Sequence, residues 1–167
     1  MAVEISRPDD QPGKSDEPQL RDLFLFTAGS RSFGVSAEEV DGTAEAKQPA
    51  PLPHAPPSIL GVIHARGRML TLFDPLKLLT GGAPPDGSSF ETIICLRGDE
   101  QLALAAESIG ETITISSSDV EPNESAAESA GAIAGILRHG GEEITILEPA
   151  NLFAAAIYRR DRRRRRF

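Results

Sequence analysis

The sequence predicts a mainly β protein in which two small barrels, of about five strands each, pack together with a few short helices. Three observations predict it. Apolar residues fall in short alternating runs divided by Gly, Pro and Ser, the pattern of strands and tight turns. Ile59–Leu79 laid over Ile133–Phe153, a shift of 74 without a gap, matches at six of 21 positions, both turn glycines and both helix-opening prolines among them. Phe33–Val40 over Leu102–Ile109 gives a weaker second echo. Lastly, a chain of 167 residues is 40% hydrophobic, with no Trp and few aromatics, so Ile, Leu, Val and Ala must build the core. Two lobes of about five strands cannot each bury both faces well, so they should mate.

The elements follow in order. Met1 to about Gln19 is polar, rich in Pro and Asp, and reads as a disordered arm. Leu23–Phe26 and Arg31–Val35 read as strands joined by a turn at Ala28-Gly29-Ser30. Lys47–Ser58 holds five prolines and must be an extended loop, because proline lacks the amide donor. Ile59–Ala65 reads as a buried strand. Arg66-Gly67-Arg68 is its turn and Met69–Phe73 its partner. Asp74-Pro75 opens a short helix, with Asp as cap and Pro at the first position, and Gly81-Gly82 ends it. A connector, Ala83–Ser89, leads to a hairpin of Phe90–Leu96 and Gln101–Ala106. Ile109–Ile115 is another strand, and Ser116–Gly131 a polar loop with room for a helical turn. Ile133–His139 and Glu142–Leu147 form the last hairpin, across Gly140-Gly141, and Glu148-Pro149 opens the last helix. One lobe is expected over about 20–82 and the other over about 90–157, with strand exchange between them left open.

No catalytic or cofactor-binding constellation emerges. His54 lies in the Pro-rich loop, His64 in a strand and His139 before a turn, and no two have metal-ligand spacing. The single cysteine, Cys95, sits in the run Ile93-Ile94-Cys95-Leu96 and reads as a small buried hydrophobe. Neither Gly-Gly pair precedes Lys-Ser/Thr, so there is no phosphate loop, and Ser116-Ser117-Ser118 has no base beside it. No signal core and no membrane span are visible, and one unpaired thiol fits a reducing compartment. A soluble cytoplasmic protein without metal or cofactor is the expectation.

Charge is uneven. The chain carries −8 overall, yet 158–167 holds seven Arg and one Asp, a sum of +6, which leaves −14 for the rest. An acidic body repels phosphates, so any binding of RNA or an anionic membrane would run through this Arg-rich tail. That is the alternative functional reading.

The stretch Gly61-Val62-Ile63-His64-Ala65-Arg66-Gly67-Arg68-Met69-Leu70-Thr71-Leu72-Phe73-Asp74 resembles the signature of the CheW-like domain family. The likeness extends from Leu20 to Phe153. It implies paired SH3-like barrels and a non-enzymatic chemosensory adaptor. Such a protein bridges the cytoplasmic tips of chemoreceptors and the regulatory domain of a CheA-type histidine kinase, at membrane receptor arrays. Val40, Gly61 and Arg66 match the family's partner-contacting positions: Val40 as an apolar contact at a strand edge, Gly61 for close backbone approach, Arg66 as a guanidinium at a hairpin tip. The chain departs from the family just after Val40. The family commonly has a polar residue, Glu, then Ile or Val; here Asp41-Gly42-Thr43 follows.

Overall fold

Nearly every alternating run becomes a strand in the computed structural model, which describes residues 19–80, 90–122 and 131–157. The strands are β1 (Leu20–Ala28), β2 (Arg31–Ser36), β3 (Val40–Glu45), β4 (Ile59–Ala65), β5 (Arg68–Phe73), β6 (Thr92–Leu96), β7 (Leu102–Ala106), β8 (Ser108–Ser116), β9 (Val120–Glu121), β10 (Ile133–His139) and β11 (Glu142–Leu147). Helix α1 (Pro75–Thr80) follows β5. After β11 comes a 3-10 turn (Pro149–Asn151) and then α2 (152–157). The expected N-terminal arm through residue 18, the Gly81-Gly82 helix stop, the connector to 89, part of the polar loop (123–130) and the Arg-rich tail (158–167) lie outside the described residues.

Two antiparallel-rich sheets form two SH3-like lobes, ordered β8-β1-β2-β11-β10-β9 and β3-β6-β7-β5-β4. The first has six strands where about five were expected, because Val120–Glu121 adds a short one against β10. Strand membership does not follow the sequential split near residue 82. The second lobe is continuous, β3 to β7, and is nested inside the first, which takes β1–β2 from before it and β8–β11 from after it. The reason lies in pairing. Strand β2 meets β11 in parallel, and β7 meets β5 in parallel. A parallel pair cannot be closed by a tight turn and needs a long crossover, so the two members of each pair lie apart in the sequence.

Three apolar clusters hold this together. Leu23, Ile115, Leu137, Ile144 and Ile146 fill the first lobe. Ile63, Leu70, Leu72, Ile93, Cys95 and Ala103 fill the second. The largest cluster lies between them and draws Phe26, Phe33 and Val35 from one sheet and Phe73, Ile94, Leu96 and Leu104 from the other. Both helices reinforce this seam. Leu76 of α1 sits against Gly29 at the β1–β2 turn of the other lobe, where an added Cβ would lie 2.1 Å from Leu76 Cδ2. Phe153 of α2 meets Phe73 edge-on, ring centroids 5.1 Å apart. Asp74 caps α1 as expected: its Oδ1 accepts from Leu76 N at 2.9 Å and Lys77 N at 3.2 Å. Glu148 stands at the matching place before α2 but makes no side-chain cap bond.

Strand β4, read from sequence as buried, alternates instead. Gly61, Ile63 and Ala65 face inward, and His64 is exposed. Its sheet packs one face on the core and leaves the other toward solvent, so alternate residues differ in exposure.

Candidate partner-binding surface

The β4–β5 turn is a two-residue loop in which Arg66 has φ 52° and Gly67 φ 77°. Turns of this kind match the twist of the strands but need positive φ at both positions. Gly67 takes it freely, whereas for Arg66 it is an uncommon conformation. The turn fixes the direction in which the Arg66 side chain leaves the hairpin, and 45% of that side chain remains exposed.

Strands β3 and β4 lie at opposite edges of their sheet, yet the Arg66 tip of the β4–β5 hairpin comes back against β3. Arg66 Nε stands 3.5 Å from Asp41 Oδ2. Asp41 is carried out of register by a bulge between Val40 and Gly42, while Gly42 and Thr43 continue the ladder opposite Cys95 and Ile94. Its carboxylate faces two more arginines: Arg68 Nη1 at 3.8 Å and Arg97 Nη1 at 3.9 Å. Arg68 is anchored, donating from Nη1 to Leu96 O at 3.0 Å and from Nη2 to Gly98 O at 3.2 Å. Three cations thus share one carboxylate at the end of the second lobe. At such exposed distances each pair adds little stability, about 1 kcal/mol at most. Their consequence is a fixed pattern of positive charge.

Val40 is half-buried at the strand edge and packs on the central core, so it serves packing and surface together. Gly61 lies against another segment of its own chain. It is buried, with φ 144°, and the Pro-rich loop crosses it: Ala50 pairs with Val62 through two 2.9 Å backbone bonds. An added Cβ would lie 2.3 Å from Ala50 O. A close backbone approach at Gly61 is therefore made within this chain, by Ala50. Gly61 is five residues along β4 from Arg66, about 16 Å away at strand spacing.

Sequence reasoning missed Asp41, Arg68 and Arg97 as members of this surface. They come from three separate stretches: β3–β6 pairing sets Asp41 beside Arg97, and the return of the β4–β5 hairpin tip to β3 brings Arg66 and Arg68 to them. Two titrations mark the surroundings. Burial pushes the Cys95 thiol up, opposed by Arg66 and reinforced by Asp41, so it stays a protonated core side chain. Burial also pushes the Glu39 carboxyl up, with Glu148 next in effect, and Glu39 Oε2 is buried without a hydrogen-bond partner. Among the described residues, no three His, Cys, Asp or Glu side chains group to hold a metal, and no helix is long and apolar enough to cross a membrane.

Comparison with known proteins agrees with this architecture. The family model described as "CheW-like domain" matches residues 22–156. The chain is 27% identical over 138 residues to the chemotaxis protein CheW of Rhizobium meliloti, covering 80% of this chain and 87% of that one. It is 26% identical over 139 residues to protein FrzA of Myxococcus xanthus, covering 81% and 87%. The crystal structure of the scaffolding protein TtCheW from Thermoanaerobacter tengcongensis superposes with a TM-score of 0.67 at 22% identity, over 83% of this chain and 90% of that one.

Proposed function

The chain belongs to the CheW-like domain family of chemosensory scaffolds, and from that premise we propose that it couples chemoreceptor cytoplasmic tips to the regulatory domain of a CheA-type histidine kinase. In this reading it is a docking protein without a reaction centre, held at receptor arrays on the cytoplasmic side. The observation that carries the reading is the exposed Arg66 guanidinium, presented at a rigid two-residue turn with Arg68 and Arg97 beside it. A planar guanidinium with oriented donors suits a partner carboxylate, and surplus positive charge steers an acidic surface into register. Val40 adds an apolar edge to the same end of the lobe.

The test is charge reversal in the full-length chain. Arg66→Asp is expected to weaken capture of the kinase regulatory domain about tenfold or more, with the circular dichroism spectrum unchanged. Wild-type affinity in that variant would remove Arg66 from the interface.

A further inference from the structure

Gly42 is not needed by its backbone. Its φ lies outside the left-handed region, and it pairs normally with Cys95 in the β3–β6 ladder. What requires a glycine there is a side chain. A Cβ built on Gly42 would lie 2.5 Å from Arg66 Cζ, 2.7 Å from Nη1 and 2.8 Å from Nε. Three atoms of one guanidinium at nearly equal distance mean that the group lies flat over the Gly42 Cα. The contrast with Gly67 is instructive: there φ is 77° and nothing lies within 4 Å, so the backbone alone explains the residue.

We propose that Gly42 and Asp41 are positioning residues for Arg66: a bare backbone shelf on which the guanidinium rests and a bulged carboxylate that stops it from sliding off. This deepens the coupling reading and rests on it, because it specifies how the partner-facing arginine is aimed. Each part has a separate cause. The bulge releases Asp41 from the ladder. Arg68, tied to two carbonyls, and Arg97 flank the Asp41 carboxylate and keep its charge on this side. The positive φ of Arg66 sends its side chain across to β3. Any side chain at position 42 takes the shelf away. The guanidinium is the end of a flexible chain, so it would yield before the strand does, and the fold would survive. An arginine held in its binding pose loses less conformational freedom on docking than a mobile one.

The test is a double-mutant cycle on the full chain, with Gly42→Ala, Arg66→Ala and the two combined, titrated against the kinase regulatory domain. Gly42→Ala is expected to weaken binding about five- to tenfold beside Arg66, and less than about twofold once Arg66 is Ala. Equal losses in both backgrounds, or none beside Arg66, overturn the proposal. A second measurement needs no partner: the Arg66 Nε–H resonance of the free protein. It is expected to shift and sharpen toward that of a mobile arginine in Gly42→Ala and in Asp41→Asn. An unaltered resonance in both variants overturns the positioning role. If Arg66→Ala binds the kinase domain normally, the coupling reading fails at this surface, and the resonance alone decides the shelf.

Discussion

The hairpin-and-helix unit occurs twice, as β4–β5–α1 in one lobe and β10–β11–α2 in the other, and the differences between the copies separate what holds the fold from what adorns it. Shifted by 74 residues, the same bulge recurs: between Ile59 and Gly61, and between Ile133 and Gly135. The parallel pairing recurs too, Thr71 opposite Leu102 in one lobe and Thr145 opposite Phe33 in the other. Each bulge glycine lies under a crossing strand: Gly61 under Ala50, and Gly135 under Val120–Glu121, 2.4 Å from Val120 Cγ1 at its would-be Cβ. The tips diverge. One turn is Arg66-Gly67, flanked by Arg68; the other is Gly140-Gly141, flanked by Glu142. Steric demands are shared by both copies, whereas charge at the tips is free to differ: among the described residues the arginine cluster stands at the tip in the second lobe.

The strongest challenge to this equivalence is a pair of cavities. Leu72 and Ile146 occupy matching buried sites, so Leu72→Ala and Ile146→Ala should each cost about 2–5 kcal/mol in urea unfolding. Both should melt in a single transition, since the central cluster draws on both sheets; separate transitions would break the comparison. Next come the two glycines. Gly61→Ala forces positive φ and a backbone collision, and should cost about 3 kcal/mol. Gly135→Ala meets a side chain that can move as well as Glu121 O, and should cost about 1–2 kcal/mol. Equal losses would show that φ is not the difference. Smaller still, Asp74→Ala removes a formed cap and should lower stability by about 1 kcal/mol, while Glu148→Ala should stay within about 0.5 kcal/mol.

The last effect is a gain. Glu39 has a folded pKa above its ordinary 4.5, so between that value and the folded pKa the folded chain holds a proton that the unfolded chain has released. Stability therefore falls as pH rises through this window. Glu39→Gln should flatten that slope and stabilise the protein at neutral pH. A steeper slope in the variant would contradict the assignment.

Much of this was readable before any coordinates. Alternation located the hairpins, Asp74 announced its own cap, and the shift of 74 exposed the duplicated unit because its requirements are local. Nesting was not readable, since β2 and β11 are joined by no local signal. Strand β9 hid in a Ser- and Glu-rich stretch, too short to alternate. Gly61 declared a close approach but not by what, and nothing adjacent to Pro49-Ala50 names Val62 as its partner. The arginine cluster escaped because its members stand far apart in the sequence: β3–β6 pairing sets Asp41 beside Arg97, and only the folded sheet returns Arg66 to them. Glu148 looked like a second Asp74, but the 3-10 turn that follows it carries no side-chain cap.

The nested arrangement also sets a timetable for biosynthesis. By residue 106 the ribosome has made every strand of the inner lobe. The β1–β2 hairpin emerges first, yet Phe33 must wait for Thr145. At about 5–20 residues per second, that wait lasts on the order of ten seconds. The nascent chain thus finishes its arginine-bearing lobe early, while its β1–β2 hairpin stays without its parallel partner until β11 has been made.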